Sequence, residues 1–210
     1  MKHLILLIAI VLTNCTVVKN YHYEIPTRTI KTDSIQPISF EERVFFEYTK
    51  CGERLLKDSL ISISPTEFAR AATIVAYCES GLKTNVKSGD NSVGIHQITV
   101  TNLLNLKTSP EEYTNMDVSE QIKIHEKFLR SVNRRFLKSM KTPIDFHIIN
   151  FSPSKYNKNI LSSTSNKYLK ALDKNHDRLI TVIDFVLFQD ARINHSKNKF
   201  IRDLYYSITI

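Results

Sequence analysis

The chain has 210 residues, of which 42% are hydrophobic and 24% charged, a composition typical of one soluble domain of ordinary size. It contains only four glycines and no G-x-G-x-x-G or Walker pattern, which argues against a glycine-rich nucleotide-binding loop. The formal net charge of +8 favours an anionic partner such as nucleic acid, an acidic membrane surface or an acidic wall polymer. Because the basic residues are scattered along the chain, charge alone does not choose among these partners.

The N-terminus predicts an export signal. A short basic start precedes the apolar run 4–12, which suits a secretory signal and is shorter than the about 20 residues that cross a bilayer. Residues 12–15, Leu-Thr-Asn-Cys, resemble a lipobox, the site at which bacterial lipoproteins are cut and lipidated. The resemblance implies a lipid anchor on Cys15. The alternative is a plain secretory signal with an incidental cysteine, and both predict a protein of the periplasm or cell envelope.

The pattern divides the chain into three parts: a signal over 1–15, a polar tether over 16–37, and a folded domain over 38–210. Apolar spacing and capping residues predict a mainly α domain with at most a small β element. Helices are expected over 39–60, 65–80, 117–136 and 143–151, and a short hairpin between 83 and 99.

Two further cysteines, Cys51 and Cys78, fall on the apolar faces of predicted helices. In an exported protein such a pair is a candidate disulfide. The alternative is two separate thiols, each buried in the core.

A glutamate closes the second predicted helix, and a polar loop and a Gly-x-x-Gln segment follow it. The residues are Glu79-Ser80-Gly81 and then, after a turn, Gly94-Ile95-His96-Gln97-Ile98. Cleavage of a glycosidic bond needs a carboxylic acid that is still protonated near neutral pH, and burial at the end of an apolar helix would favour that form. A lone glutamate at such a position is more often simply solvated.

The two segments together resemble the soluble lytic transglycosylase and goose-type lysozyme superfamily, whose pattern is Glu-Ser, a turn, and Gly-Leu-Met-Gln-Ile. His96 stands where the methionine is common. Residues 149–154 occupy the place of the family's Tyr-Asn-Ala-Gly-Pro-Gly, with Asn150 and Pro153 matching. The resemblance covers roughly residues 65–195. It implies an α+β lysozyme-like fold, a helical bundle around a substrate cleft with a small β-hairpin.

The resemblance also implies the chemistry. Glu79 would be the general acid/base of a peptidoglycan lytic transglycosylase, with Ser80, His96, Gln97 and Asn150 binding the substrate. One carboxyl group suffices for this reaction, which leaves 1,6-anhydro-muramic ends. A lysozyme-type hydrolase normally uses a second carboxylate, for which Asp90 is the nearby candidate, although a turn residue is its simpler interpretation.

Residues 172–185 fit the spacing of an EF-hand calcium loop, as some transglycosylases carry. The ligands at loop positions one, three, five, seven, nine and twelve would be Asp173, Asn175, Asp177, the Leu179 carbonyl, Thr181 and Asp184. Arg178 occupies the sixth position, where glycine is usual. The alternative is a degenerate loop that keeps the turn without the metal, and no other cofactor is expected.

Two other classes of function compete with the enzyme. A catalytically inactive wall-binding protein would keep the fold, and the altered residues around Asn150 motivate that alternative. A basic nucleic-acid binder conflicts with the export signal and with the absence of an interleaved basic-aromatic motif. His125, on an apolar helix face, is expected to be a core residue. Peptidoglycan is the expected partner, without nucleic acid, and the protein is expected to be monomeric.

Overall fold

A computed structural model describes residues 38–89, 91–153, 156, 158, 160–163, 172–173 and 177–207. The predicted signal, the tether and Cys15 lie outside them. Within the described part the helices are α1 (Phe40–Lys57), α2 (Pro65–Ser80), α3 (Val100–Asn105), α4 (Pro110–Asn115), α5 (Val118–Ser131), α6 (Arg134–Ser139), α7 (Pro143–Phe151), α8 (Val182–Asn194) and α9 (Lys199–Tyr206). The strands are β1 (Ser92–Val93), β2 (Ile98–Thr99), β3 (Ile160–Ser163) and β4 (Leu179–Thr181). The mainly α prediction is confirmed.

Helix α2 is the centre of the domain, and α1, α7, α8 and α9 all pack against it. It begins as the sequence predicts: Ser64 and Glu67 form a reciprocal capping box around Pro65. It ends at Gly81, whose φ of +66° is the left-handed cap that glycine adopts without strain. Most of the helix is buried, so its last turn is held rigidly against its neighbours.

The predicted short hairpin is confirmed as the antiparallel pair β1 and β2. Gly94 lies between the strands with a φ of +77°, and a Cβ there would stand 2.3 Å from the Tyr113 ring. Gln121 of α5 secures the loop, because its side-chain oxygen accepts from the Ile95 N–H at 3.0 Å and its nitrogen donates to the Thr84 carbonyl at 2.8 Å. The hairpin is thereby fixed beside the end of α2.

The single helix predicted over 117–136 is wrong at its C-terminal end. Helix α5 stops at Ser131, and the chain turns at Val132 into a separate helix, α6. Asn133 causes the break, because its side chain accepts a hydrogen bond from the Arg135 N–H and caps the new helix. Apolar spacing continues through the break and therefore did not reveal it.

Of the two alternatives for Cys51 and Cys78, the structure has two separate thiols and no disulfide, since both are free and buried. The two thiols have different charged neighbours. Cys51 interacts electrostatically with Glu126, and Cys78 interacts with Glu79 and Arg192. Burial raises the pKa of each thiol far above its ordinary value. Helical faces that both point into a core do not have to meet each other.

The second half of the domain adds an antiparallel pair, β3 with β4, which the sequence did not predict. Helix α8 follows β4 directly and packs against α2 and α7. In the described part of the chain, no helix has the length and apolarity needed to span a membrane.

Candidate active site

Glu79 lies in the last turn of α2 and faces a cleft of about 400 Å³. Its side chain is 22% exposed, so the carboxyl group is reachable from the cleft while its stem is packed. Polar side chains on the hairpin side include Ser92, Gln97 and Asn102. Among the described residues that line the cleft, Glu79 is the one carboxylate.

His147 contacts Glu79 from the opposite wall. Its Nε2 atom lies 2.7 Å from Glu79 Oε1, and its side chain is only 1% exposed. On the other side of the ring, Nδ1 lies 2.9 Å from the side-chain nitrogen of Gln189 on α8. Phe185 packs edge-on against the imidazole with ring centroids 4.7 Å apart. An acid, an imidazole and an amide thus form one buried chain leading into the cleft.

The sequence analysis missed both His147 and Gln189. A signal for His147 was present, because it lies three residues before Asn150 on α7 and so on the same helix face. Nothing local marked Gln189, since α8 is distant in the chain and joins the site only through its packing against α2 and α7.

Ser80 has a different environment from the one predicted. Its hydroxyl is buried and donates to backbone carbonyls, Ala76 at 3.0 Å and Ile95 at 2.8 Å. These bonds tie the end of α2 to the loop that carries Gln97. The side chain therefore positions the two motif segments relative to each other, and Ser80 is not among the described residues that line the cleft.

Gln97 does line the cleft, as predicted. Its φ of +51° is unusual for a residue with a side chain. Its side-chain nitrogen donates to the Gly94 carbonyl at 2.8 Å and to the Val86 carbonyl at 3.3 Å. Its side-chain oxygen is buried and has no partner within the described part of the chain.

His96 does not line the cleft, which corrects the prediction that it contacts substrate. It is fully buried, and its ring stacks on His125 with centroids 3.7 Å apart. Neither ring nitrogen of His96 has a hydrogen-bond partner among the described residues. Burial and the neighbouring histidines His125 and His147 hold the pKa of His96 well below its ordinary value, so the ring is neutral.

Asn150 joins the two histidine environments. It lines the cleft, donates to the His96 carbonyl at 3.1 Å, and accepts at 3.1 Å from Nε2 of His125. His125 is a core residue as predicted, and burial lowers its pKa to about 3. The oxygen and the nitrogen of the Asn150 amide are therefore each bound by the protein, and the contact with His125 holds α7 against α5.

The structure describes most of the predicted calcium loop. Asp173 Oδ2 accepts from the Arg178 N–H at 3.1 Å, while Asp173 Oδ1 is buried without a partner among the described residues. Asp177 accepts from the Leu179 N–H at 2.8 Å. Asp184 accepts from both the N–H and the hydroxyl of Thr181 at the start of α8.

Two predicted site residues, Asp90 and Asn175, lie outside the described residues. In the part of the chain that the structure describes, no three carboxylate, imidazole or thiol side chains cluster in a way that suits a metal ion.

No protein-family model matches this chain, and neither a curated protein nor a solved structure matches it. The function therefore has to be argued from the geometry of the cleft. That geometry offers one carboxyl group, held at one oxygen by an imidazole nitrogen and open to a groove with polar and aromatic walls. Such a group can give a proton to a bound oxygen and take one back.

Proposed function

We propose that this protein is a peptidoglycan lytic transglycosylase with a lysozyme-like fold, in which Glu79 is the single general acid/base. The observation that carries the proposal is the placement of Glu79 as the one carboxylate among the described residues that line the cleft. The motif resemblance around Glu79 and Gln97 supplies the substrate class. A carboxyl group alone in a groove suits a reaction that needs no second carboxylate.

The reaction would run in two proton transfers. Glu79 gives its proton to the glycosidic oxygen between N-acetylmuramic acid and N-acetylglucosamine, and the bond from that oxygen to the anomeric carbon breaks. The carboxylate of Glu79 then takes the proton of the muramic C6 hydroxyl, whose oxygen bonds to the anomeric carbon. The products are a 1,6-anhydro-muramic end and a free N-acetylglucosamine 4-hydroxyl, and Glu79 is again protonated. Water takes no part.

The walls of the cleft suit a sugar chain. Phe128, Phe151 and Phe188 offer apolar ring faces, and Asn102 offers an amide. A groove with apolar walls and a few polar groups can hold the apolar faces of sugar rings and orient their hydroxyls. The net charge of +8 would favour the encounter with anionic wall polymers. Export, and a lipid anchor on Cys15, would place the enzyme beside this substrate.

We also propose that the loop 173–184 binds calcium. Two features of this chain support the fit. Arg178 adopts a φ of +67°, the left-handed conformation that the sixth loop position requires. Asp173 offers a buried carboxylate oxygen without a described partner.

The calcium proposal is tested by the melting temperature of the purified protein. Calcium is expected to raise it, magnesium is not, and Asp173→Asn is expected to remove the rise. Equal responses to both ions would contradict the site.

The enzymatic proposal is tested by mass spectrometry of purified sacculi digested with the full chain, beside Glu79→Gln and the matched surface variant Glu53→Gln. Glu53 is exposed on α1. Wild type and Glu53→Gln are expected to release anhydro-muropeptides. Glu79→Gln should release them about 10² to 10⁴ times more slowly, because it cannot donate the proton.

Two outcomes would overturn the assignment. Reducing-end products lost in Glu79→Gln would make the protein a hydrolase and bring Asp90 forward as the second carboxylate. Binding of sacculi without release of any product would leave a wall-binding protein.

A further inference from the structure

Gln189 and His147 form a hydrogen-bonded pair behind the proposed acid, and the direction of its hydrogen bonds can be worked out. The side-chain nitrogen of Gln189 lies 2.9 Å from His147 Nδ1 and 3.4 Å from the Pro143 carbonyl oxygen. Gln189 is fully buried. Its orientation therefore has to be satisfied by these neighbours and not by solvent.

The carbonyl of Pro143 fixes which end of the amide is which. A carbonyl oxygen only accepts, so the amide group facing it must be the NH₂ end. In that orientation one N–H donates toward Pro143 and the other donates to His147 Nδ1. The reverse orientation would turn the amide oxygen toward the Pro143 oxygen. It would also move the two N–H groups to the place of the Gln189 oxygen. That oxygen has no hydrogen-bond partner among the described residues, so the N–H groups would find no acceptor there.

The orientation of Gln189 determines the tautomer of His147. Because Nδ1 accepts from Gln189, it carries no hydrogen, and the hydrogen of a neutral ring must lie on Nε2. Protonation of Nδ1 would set two donors against each other. His147 is thus a neutral donor.

The donor then selects one oxygen of Glu79. Nε2–H donates to Oε1 at 2.7 Å, and Oε2 receives no hydrogen bond from the described residues. Oε1 can accept from His147 in both states of the acid. The catalytic proton is consequently carried on Oε2, the oxygen left for the cleft. A charged imidazolium would instead hold Glu79 as the carboxylate.

We propose that Gln189 is a positioning residue that holds His147 neutral with its hydrogen on Nε2, so that His147 presents Glu79 with Oε2 as the proton-donating oxygen. This proposal rests on the proposed function for its role in the reaction. The tautomer itself can be measured whether or not the protein cleaves glycan strands.

The test is ¹⁵N NMR of the full chain labelled at histidine, with the His147 signals identified by their loss in His147→Gln. Wild type is expected to show His147 neutral and protonated on Nε2 at neutral pH. Gln189→Glu places an acceptor against Nδ1 and should move a proton onto that nitrogen. The control Asn194→Asp adds the same charge on α8 and keeps the acceptor for the Tyr206 hydroxyl, so it should leave the His147 signals unchanged.

The same variants are compared by kinetics of glycan cleavage. Gln189→Glu is expected to lower kcat by up to about a hundredfold with little change in KM, because the acid is misplaced while the cleft walls are intact. A wild-type His147 found protonated on Nδ1 would overturn the proposal without any variant. So would a Gln189→Glu protein whose His147 keeps the wild-type signals. A correct tautomer in a protein that cleaves nothing would instead contradict the proposed function.

Discussion

Two histidine environments meet at α7, and they are opposite in character. His147 has a partner at each ring nitrogen, Glu79 at 2.7 Å and Gln189 at 2.9 Å, and it borders the cleft. His96 and His125 stack face to face in the core, and three of their four ring nitrogens have no described partner. Only the first environment joins a titratable acid to a groove.

A position within a motif and a position at the functional site are therefore separate properties of a residue. His96 lies inside the recognised segment, yet its ring is buried and serves packing. His147 was not singled out, yet it touches the proposed acid. The hydrogen bonds at both ring nitrogens hold His147 in one orientation toward the acid. Buried nitrogens without a hydrogen-bond partner, as in the His96–His125 pair, instead lower the stability of the fold.

Removing each ring in turn tests whether the two histidine environments differ in function. His147→Phe should lower kcat for glycan cleavage by about a hundredfold, because Glu79 loses the donor that orients it. His147→Gln keeps a donor of similar reach and should recover part of that loss. His125→Phe should instead lower the free energy of unfolding by about 1–3 kcal/mol, since Asn150 loses its donor.

Steady-state kinetics and urea unfolding of the three variants give both readouts. If His125→Phe lost turnover as His147→Phe does, while remaining as stable as wild type, the two environments would not be distinct in function.

A second prediction concerns acid. Burial lowers the pKa of His125 to about 3, and that of His96 also lies well below its ordinary value. Unfolded histidines titrate near pH 6.5, so between that pH and about 3 the unfolded chain binds protons that the folded one does not. Stability is therefore full above about pH 6.5 and falls as the pH is lowered. Each of the two histidines should lower the free energy of unfolding by about 1.4 kcal/mol for each pH unit below the pKa that it has in the unfolded chain.

The measurement is urea unfolding between pH 7.5 and about 5.5. This window lies above the pH range in which Glu67 and Glu126 titrate, because the pKa values of both carboxyl groups are lowered. His125→Phe should remove about half of the slope, and the exposed His195→Gln should leave it unchanged. A wild-type stability that is flat across this window would contradict neutral burial of the pair.

The smallest expected effect concerns Asn150, which touches both the core pair and the cleft. Asn150→Asp replaces the donor to the His96 carbonyl by a second acceptor and should cost about 1–2 kcal/mol at pH 7. The new carboxylate beside His125 should favour its protonated form, so the loss of stability in acid should be shallower. Unfolding curves at pH 7 and 5.5 check both signs, and an unchanged acid slope would contradict the assignment of that slope to His125.

Much of the helical framework could be predicted because its signals are local. Ser64, Pro65 and Glu67 cap α2, and Gly81 ends it, all within one turn of the positions they control. The helix break at Asn133 could not be predicted, because the helical spacing of apolar residues continues through it. Whether Cys51 and Cys78 pair stayed open because a helical period tells which face is buried and not which other face it meets.

Local sequence signals were enough to predict the main helices, the hairpin and the position of Glu79 at the end of an apolar helix, and they also predict an export signal. Those features depend on residues that are near each other in the chain. Tertiary packing alone makes Ser80 join two segments, buries His96, and places His147 and Gln189 behind the acid. These relations join residues 15 to 110 positions apart, from Ser80 to Ile95 and from Glu79 to Gln189. Their contacts arise from the packing of α7 and α8 against α2, which no local pattern specifies.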